Sequence, residues 1–262
     1  MQRWRSAGER PIINKAPQIW LPYCGAAPVP AELLGRWNFD PVLLAALLGL
    51  GLAYGMGCRD AASRQRACFA AAVLLALILF VSPFCALTSA LFSARVVHHV
   101  LIGLALAPLL VAALPERRLP VIGSAAAWTA MQALIFWLWH APPVYAWALS
   151  GDGAYWLMQF SLIVSAAGFW AAMKRSSAPA AVAALLATMV QMGLLGALIT
   201  FSAAPLYAPH LLATQAWGLS PLEDQQLAGL SMWAPASGVY LIAALALAAR
   251  WLGRETRLSA AP

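Results

Sequence analysis

Seven stretches of this chain are too long and too apolar to sit comfortably in water. They run over 39–58, 67–91, 96–114, 121–141, 154–173, 179–203 and 226–251. The hydrocarbon core of a bilayer is about 30 Å thick and takes ~20 residues of helix. No water is available there to satisfy a bare peptide group, so each run must close its own backbone hydrogen bonds. Only Ser93 and Arg95 interrupt the second and third runs, yet together these are about two crossings long, so the chain must turn between them. Composition agrees, with 63% hydrophobic and 10% charged residues, where a soluble domain carries about 25% charged. The expected fold is all-α: an integral membrane bundle of about seven transmembrane helices over 38–253, an N-terminal tail at 1–37 and a C-terminal tail at 254–262. The N-terminal tail has no continuous apolar stretch of the signal-peptide kind and is expected to lie near the membrane surface.

The net charge of +7 reports topology rather than a nucleic-acid partner, because loops that stay in the cytoplasm collect Lys and Arg. Arg59, Arg64 and Arg66 separate the first two helices, Arg117 and Arg118 the third and fourth, and Lys174 and Arg175 the fifth and sixth. Arg250, Arg254 and Arg257 follow the last helix. With seven spans these four segments share one side, which places the N-terminus outside and the C-terminus in the cytoplasm. The tail residues Arg3, Arg5, Arg10, Lys15 and Arg36 pull the other way, partly offset by Glu9 and Glu32. Cys24, Cys58, Cys68 and Cys85 show neither CxxC nor zinc-like spacing, and no disulfide framework is expected.

The four histidines then fall on one side. His98 and His99 open the third helix, His140 ends the fourth, and His210 precedes the seventh, all toward the outer face. A lone interfacial histidine is commonly just an amphipathic anchor. As a group they offer neutral imidazole, the commonest metal ligand. Adjacent helical residues diverge by about 100°, so at most one of His98 and His99 faces the bundle centre, and the other faces a neighbouring helix or a partner. Ser220 and Glu223 have capping-box spacing. Gln225, Gly229, Met232 and Trp233 recur at helical spacing. Gly229 permits close helix approach, and Met232 offers a thioether, which with imidazole suits cuprous copper. Gln191 is expected to bond across helices, and the many tryptophans to form an interfacial belt.

No charged residue sits mid-span, as ion-coupled transport would need. The last helix has no lysine for a retinal Schiff base, and no P-loop, GxSxG or HExxH occurs. No nucleophile has a base beside it, so enzyme chemistry is not expected.

These segments resemble the CtaG family of cytochrome c oxidase assembly factors, the seven-helix type first associated with caa-type oxidases. The resemblance is carried by LSPLEDQQLAGLSMWAPASGVYL at 219–241, with FDP at 39–41, LFVSPFCAL at 79–87, HHVLIGLALAPLL at 98–110, WLWHAPPVY at 137–145, the FW pair at 169–170 and APLYAPH at 204–210. The family pattern commonly has histidine where Arg95 stands and glutamine where His98 stands. Its His-x-x-Glu-His run corresponds to Tyr155, Met158 and Gln159 here. The resemblance implies a multi-pass protein of the bacterial inner membrane that assembles a heme-copper oxidase. Its partners would be an oxidase subunit, a periplasmic copper chaperone and the lipid bilayer, with no nucleic acid. Copper, as Cu(I), would be held transiently at the outer, periplasmic face by His99 and His140, then His98, His210 and Met232. Asp224, Gln225, Glu223 and Trp233 would orient ligands or contact the partner. Two other readings stay open: a b-heme or other redox membrane protein, and a metal-free structural chaperone.

Overall fold

The computed structural model describes Trp20, residues 22–116 and residues 123–259, with side chains through Arg254. The basic residues of the tail before Trp20, Arg117 and Arg118, and the side chain of Arg257 lie outside the described residues. Most of those described are helical, with no strand among them. The main helices are α1 (Pro41–Gly57), α2 (Ser63–Phe80), α4 (Phe92–Ala113), α5 (Ala125–His140), α7 (Asp152–Arg175), α8 (Ala178–Thr200) and α9 (Pro221–Arg254). Short helices α3 (Pro83–Ala90) and α6 (Pro142–Ala148) are inserted at one end. α2, α4, α7, α8 and α9 are each long and apolar enough to cross a membrane, and α1 is a shorter apolar helix of 17 residues. Val42, Leu48, Met56, Leu134, Phe160, Val190 and Ile242 are exposed. An exterior this apolar suits lipid rather than water.

The expected break between the second and third helices at 91–96 is present at Leu91, and a second, unexpected break lies at 81–82. α2 stops at Phe80, where Ser82 accepts from the Phe84 amide and Pro83 starts a new, buried helix. Proline is favoured at a first helical position and cannot continue a helix. α4 then begins at Phe92, so His98 and His99 lie in its second turn and do not open it. The two prolines after His140 both end α5 and seed α6. The last helix starts at Pro221, earlier than expected, on the Ser220–Glu223 capping box.

Contacts between helix ends show the alternating course of the chain. Asn38 reaches the carbonyl of Phe80 at the start of α1, and Tyr54 that of Ala113 at its end. Lys174 Nζ, at the end of α7, lies 3.2 Å from Val111 O and satisfies a terminal carbonyl of α4. One end of the bundle therefore gathers the starts of α1, α4, α7 and α9 with all four histidines. The other gathers the basic segments. The tryptophans do more than form a belt: Trp137, Trp139 and Trp170 donate inward to Gln191 Oε1, Ser161 Oγ and Gly103 O.

Two of the long helices are locally widened. π-helical turns occupy Ile102–Leu106 of α4, just before Pro108, and Met232–Ala236 of α9, around Pro235. A proline ring collides with the carbonyl four residues earlier, and a π turn moves that carbonyl aside. α8 and α9 cross where Gly196 meets Gly229. A Cβ on Gly196 would come 2.7 Å from Gly229 O and 2.8 Å from the Trp233 amide. Both obstacles are backbone, so the helices would have to separate. Gly196→Ala should destabilise the bundle by about 1–3 kcal/mol, read as a lower melting temperature in detergent, whereas Gly49→Ala, with open space around it, should not.

Candidate metal and anion site

The histidine end brings together α4, α5 and α7. His98 and His99 diverge as helix geometry requires. The His98 ring stands edge-on to Phe80, 5.0 Å between centroids, and lies 6.1 Å from Phe84. His99 turns to His140, with centroids 5.5 Å apart and planes at 86°. Both histidines of the pair on α4 are buried, as is His140. His140 is the last residue of α5, and its Nδ1 lies 2.7 Å from Phe136 O. A carbonyl only accepts, so Nδ1 carries the proton and Nε2 presents a lone pair. That Nε2 is buried without a hydrogen-bond partner, and so are both ring nitrogens of His99.

One turn before His99 on the same helix is Arg95. Its side chain is fully buried, its Cζ lies 5.3 Å from the centroid of the Tyr155 ring, and none of its three guanidinium nitrogens makes a hydrogen bond. Gln159, one turn beyond Tyr155 on α7, is also fully buried with neither amide atom partnered. Tyr155, Met158 and Gln159 are all 0% exposed. Arg95 of α4 and Tyr155 of α7 thus meet, with the guanidinium over the ring.

The segment after Trp20 does not simply lie along the membrane. Tyr23 stacks on Tyr155 at 4.9 Å and donates to Asp40. Cys24 forms a disulfide with Cys85, contrary to expectation, and its sulfur lies 3.7 Å from the Tyr155 hydroxyl. The partners are 61 residues apart and meet only because this segment folds back over the bundle end, a contact that no spacing motif announces.

His210 is not part of the His99–His140 pair. Its Nδ1 donates to Ala90 O at 3.2 Å, which leaves Nε2 to accept from the Tyr145 hydroxyl at 2.6 Å. Both nitrogens are engaged in holding loop to bundle. Met232 is buried on the widened turn of α9, its Cβ facing Gly196. Asp224 caps α4 from outside, accepting from the Phe92 amide at 2.6 Å, the Ser93 amide at 3.2 Å and the Ser93 hydroxyl. Gln225 accepts from the Leu206 amide at 2.6 Å and donates to Ile199 O at 3.2 Å. Glu223 closes the capping box at the surface, and Trp233 is 43% exposed, edge-on to Phe201. These four polar and aromatic groups brace the helix ends and loops, and the bonds and ring contacts just described reach no histidine.

Among the described residues, no three His, Cys, Asp or Glu side chains are placed to share a metal ion. A closed zinc site, which needs four ligands, is not formed by them. Neutral imidazole is a donor that copper, zinc, iron and nickel all accept, and His99 and His140 are the two imidazoles brought together here. Burial pushes the His210 imidazole down to about 3, below the ~6.5 of a free histidine. A depressed value means that stability is present above pH ~6.5 and is lost as pH falls toward 3. His210→Asn should melt lower than wild type at pH 8 and decline less steeply on acidification; parallel melting curves would contradict this.

The family model for the cytochrome c oxidase caa3 assembly factor (Caa3_CtaG) matches residues 47–254, a segment that holds Arg95, all four histidines and the whole of α9 up to Arg254. No curated protein and no solved structure matches the chain. With a match over most of its length and an all-helical apolar bundle beneath it, the chain belongs to the cytochrome c oxidase caa3 assembly factor family.

Proposed function

We propose that the protein assists assembly of a caa3-type oxidase in a bacterial plasma membrane by holding Cu(I) between His99 and His140 and passing it to an oxidase subunit. The observation that carries this reading is the buried, unpartnered Nε2 of His140, whose proton is placed on Nδ1 by the Phe136 carbonyl, in a ring 5.5 Å from a His99 ring that is likewise unpartnered. Leaving such groups dry and unpaired is costly, and a metal ion removes that cost. Two ligands hold copper less firmly than a closed site, which suits transit. The neighbouring Arg95 charge works in the same direction, since it opposes a second cation nearby. The protein itself performs no bond-making chemistry in this role.

The outer orientation has two supports. Arg59, Arg64, Arg66, Lys174, Arg175, Arg250 and Arg254 belong to the opposite end, as the cytoplasmic face requires. The Cys24–Cys85 disulfide lies at the histidine end, and disulfides persist in oxidising compartments such as the periplasm. A periplasmic copper carrier would load the site, and the oxidase subunit would unload it.

The test is copper stoichiometry of purified protein, loaded anaerobically with Cu(I) in detergent. Wild type should retain about one copper per chain at the affinity expected of a bis-imidazole site, His99→Ala and His140→Ala should lose it, and His210→Asn should keep it. Copper retained by both alanine variants, or absent from wild type, would overturn the proposal.

A further inference from the structure

The chain leaves the Arg95 charge without a counter-charge. The side chain has no exposed surface, and Nε and both terminal nitrogens lack hydrogen bonds. No carboxylate among the described residues lies within ion-pair distance of it. Asp224, the buried acid nearest the start of α4, is already committed to Phe92 and Ser93. The groups that feel the Arg95 charge are Tyr145, Tyr155, His98, His99 and His210, none of them an acid. Guanidinium cannot shed its proton at any ordinary pH, so neutralisation by proton loss is closed. An isolated buried charge is among the most destabilising features a fold can carry.

The geometry points to a built anion site, and we propose that its ligand is a small carboxylate, of formate or acetate size. Three features select this class. None of the three guanidinium nitrogens has a hydrogen bond of ordinary length, and although the Tyr145 and Tyr155 hydroxyls stand close enough to feel the charge, neither brings a negative charge, so the planar fork can still offer two parallel hydrogen bonds to one carboxylate. Gln159, one turn from Tyr155 on the same helix, adds a second buried, unpaired donor to this region. Tyr155 is itself packed against Tyr23 and beside Cys24, which the disulfide fastens to α3, and Arg95 has no exposed surface, so the proposed ligand is a small one. The Tyr155 ring, 5.3 Å from Arg95 Cζ, adds a cation–π contact that a bound anion need not displace.

The inference does not rest on copper, and the experiment uses metal-free protein. The full chain in detergent is titrated with sodium formate at constant ionic strength, a bulky sulfonate making up the balance, and with chloride in parallel. Melting temperature and tryptophan fluorescence are followed, since Trp156 packs against Tyr155. Wild type should rise saturably in melting temperature with formate, and chloride should need at least roughly tenfold more for the same shift, because a sphere cannot use the fork. Arg95→Met should abolish the response and be no less stable than wild type in sulfonate alone. Should the Met variant fail to fold, Arg95→Lys, which keeps the charge and loses the fork, should respond to formate roughly tenfold more weakly. Line broadening of labelled formate in the presence of wild type gives a direct reading. A wild type indifferent to formate, or a response equal in wild type and variants, overturns the site. A response to chloride as strong as that to formate overturns the carboxylate assignment.

Discussion

A single carboxylate fixes the histidine end of this bundle. α4 begins at Phe92 with no cap from its own sequence, since Leu91 has no side chain able to accept. Asp224, 132 residues away, supplies the missing acceptor to the first two amides. Helix starts expose unsatisfied N–H groups and partial positive charge, and inside an apolar bundle no water can serve them. The same interaction holds the start of α9 against the start of α4, and so sets the height at which Arg95, His98 and His99 meet α5 and α7. Gln225 extends the fastening to the loop after α8. Removing either group would not strip a ligand from the site; it would let the walls of the site move.

The sequence carried the bundle well and the site unevenly. Apolar run length alone predicts the main helices, because lipid leaves a chain few choices. The capping box of Ser220 and Glu223 and the close approach at Gly229 were legible for the same reason, being local rules with fixed geometry. Breaks inside an apolar run were not legible: Pro83 splits one predicted span, because a buried helix start can be hidden among residues that all favour lipid. The acidic and amide pair Asp224 and Gln225 reads in sequence as groups that orient ligands or contact a partner, and in space both fasten helix ends and a loop. Apart from the Ser93 hydroxyl, their partners are backbone groups such as the Phe92 and Leu206 amides, which no side-chain pattern reveals. His210 misleads in the same way, because its partners are a tyrosine hydroxyl and the Ala90 carbonyl.

What the histidine end does contain is a group of buried, unpartnered polar side chains in an apolar protein. His99 and His140 present lone pairs, Arg95 an unbalanced charge, and Gln159 an unpaired amide. Arg95 and Tyr155 meet across α4 and α7, and the guanidinium over that ring stands one helical turn from the His99–His140 pair to which we assign copper. The proposed copper and carboxylate sites are then neighbours with opposite charge preference, and the anion would offset the repulsion that Arg95 exerts on an incoming metal ion.

The most direct test of the copper reading is X-ray absorption at the copper edge on the Cu(I)-loaded full chain. The account predicts a two-coordinate cuprous ion with nitrogen donors showing imidazole scattering, and a spectrum unchanged by Met232→Leu. Sulfur in the first coordination sphere, or a spectrum unaltered by His140→Ala, would contradict it.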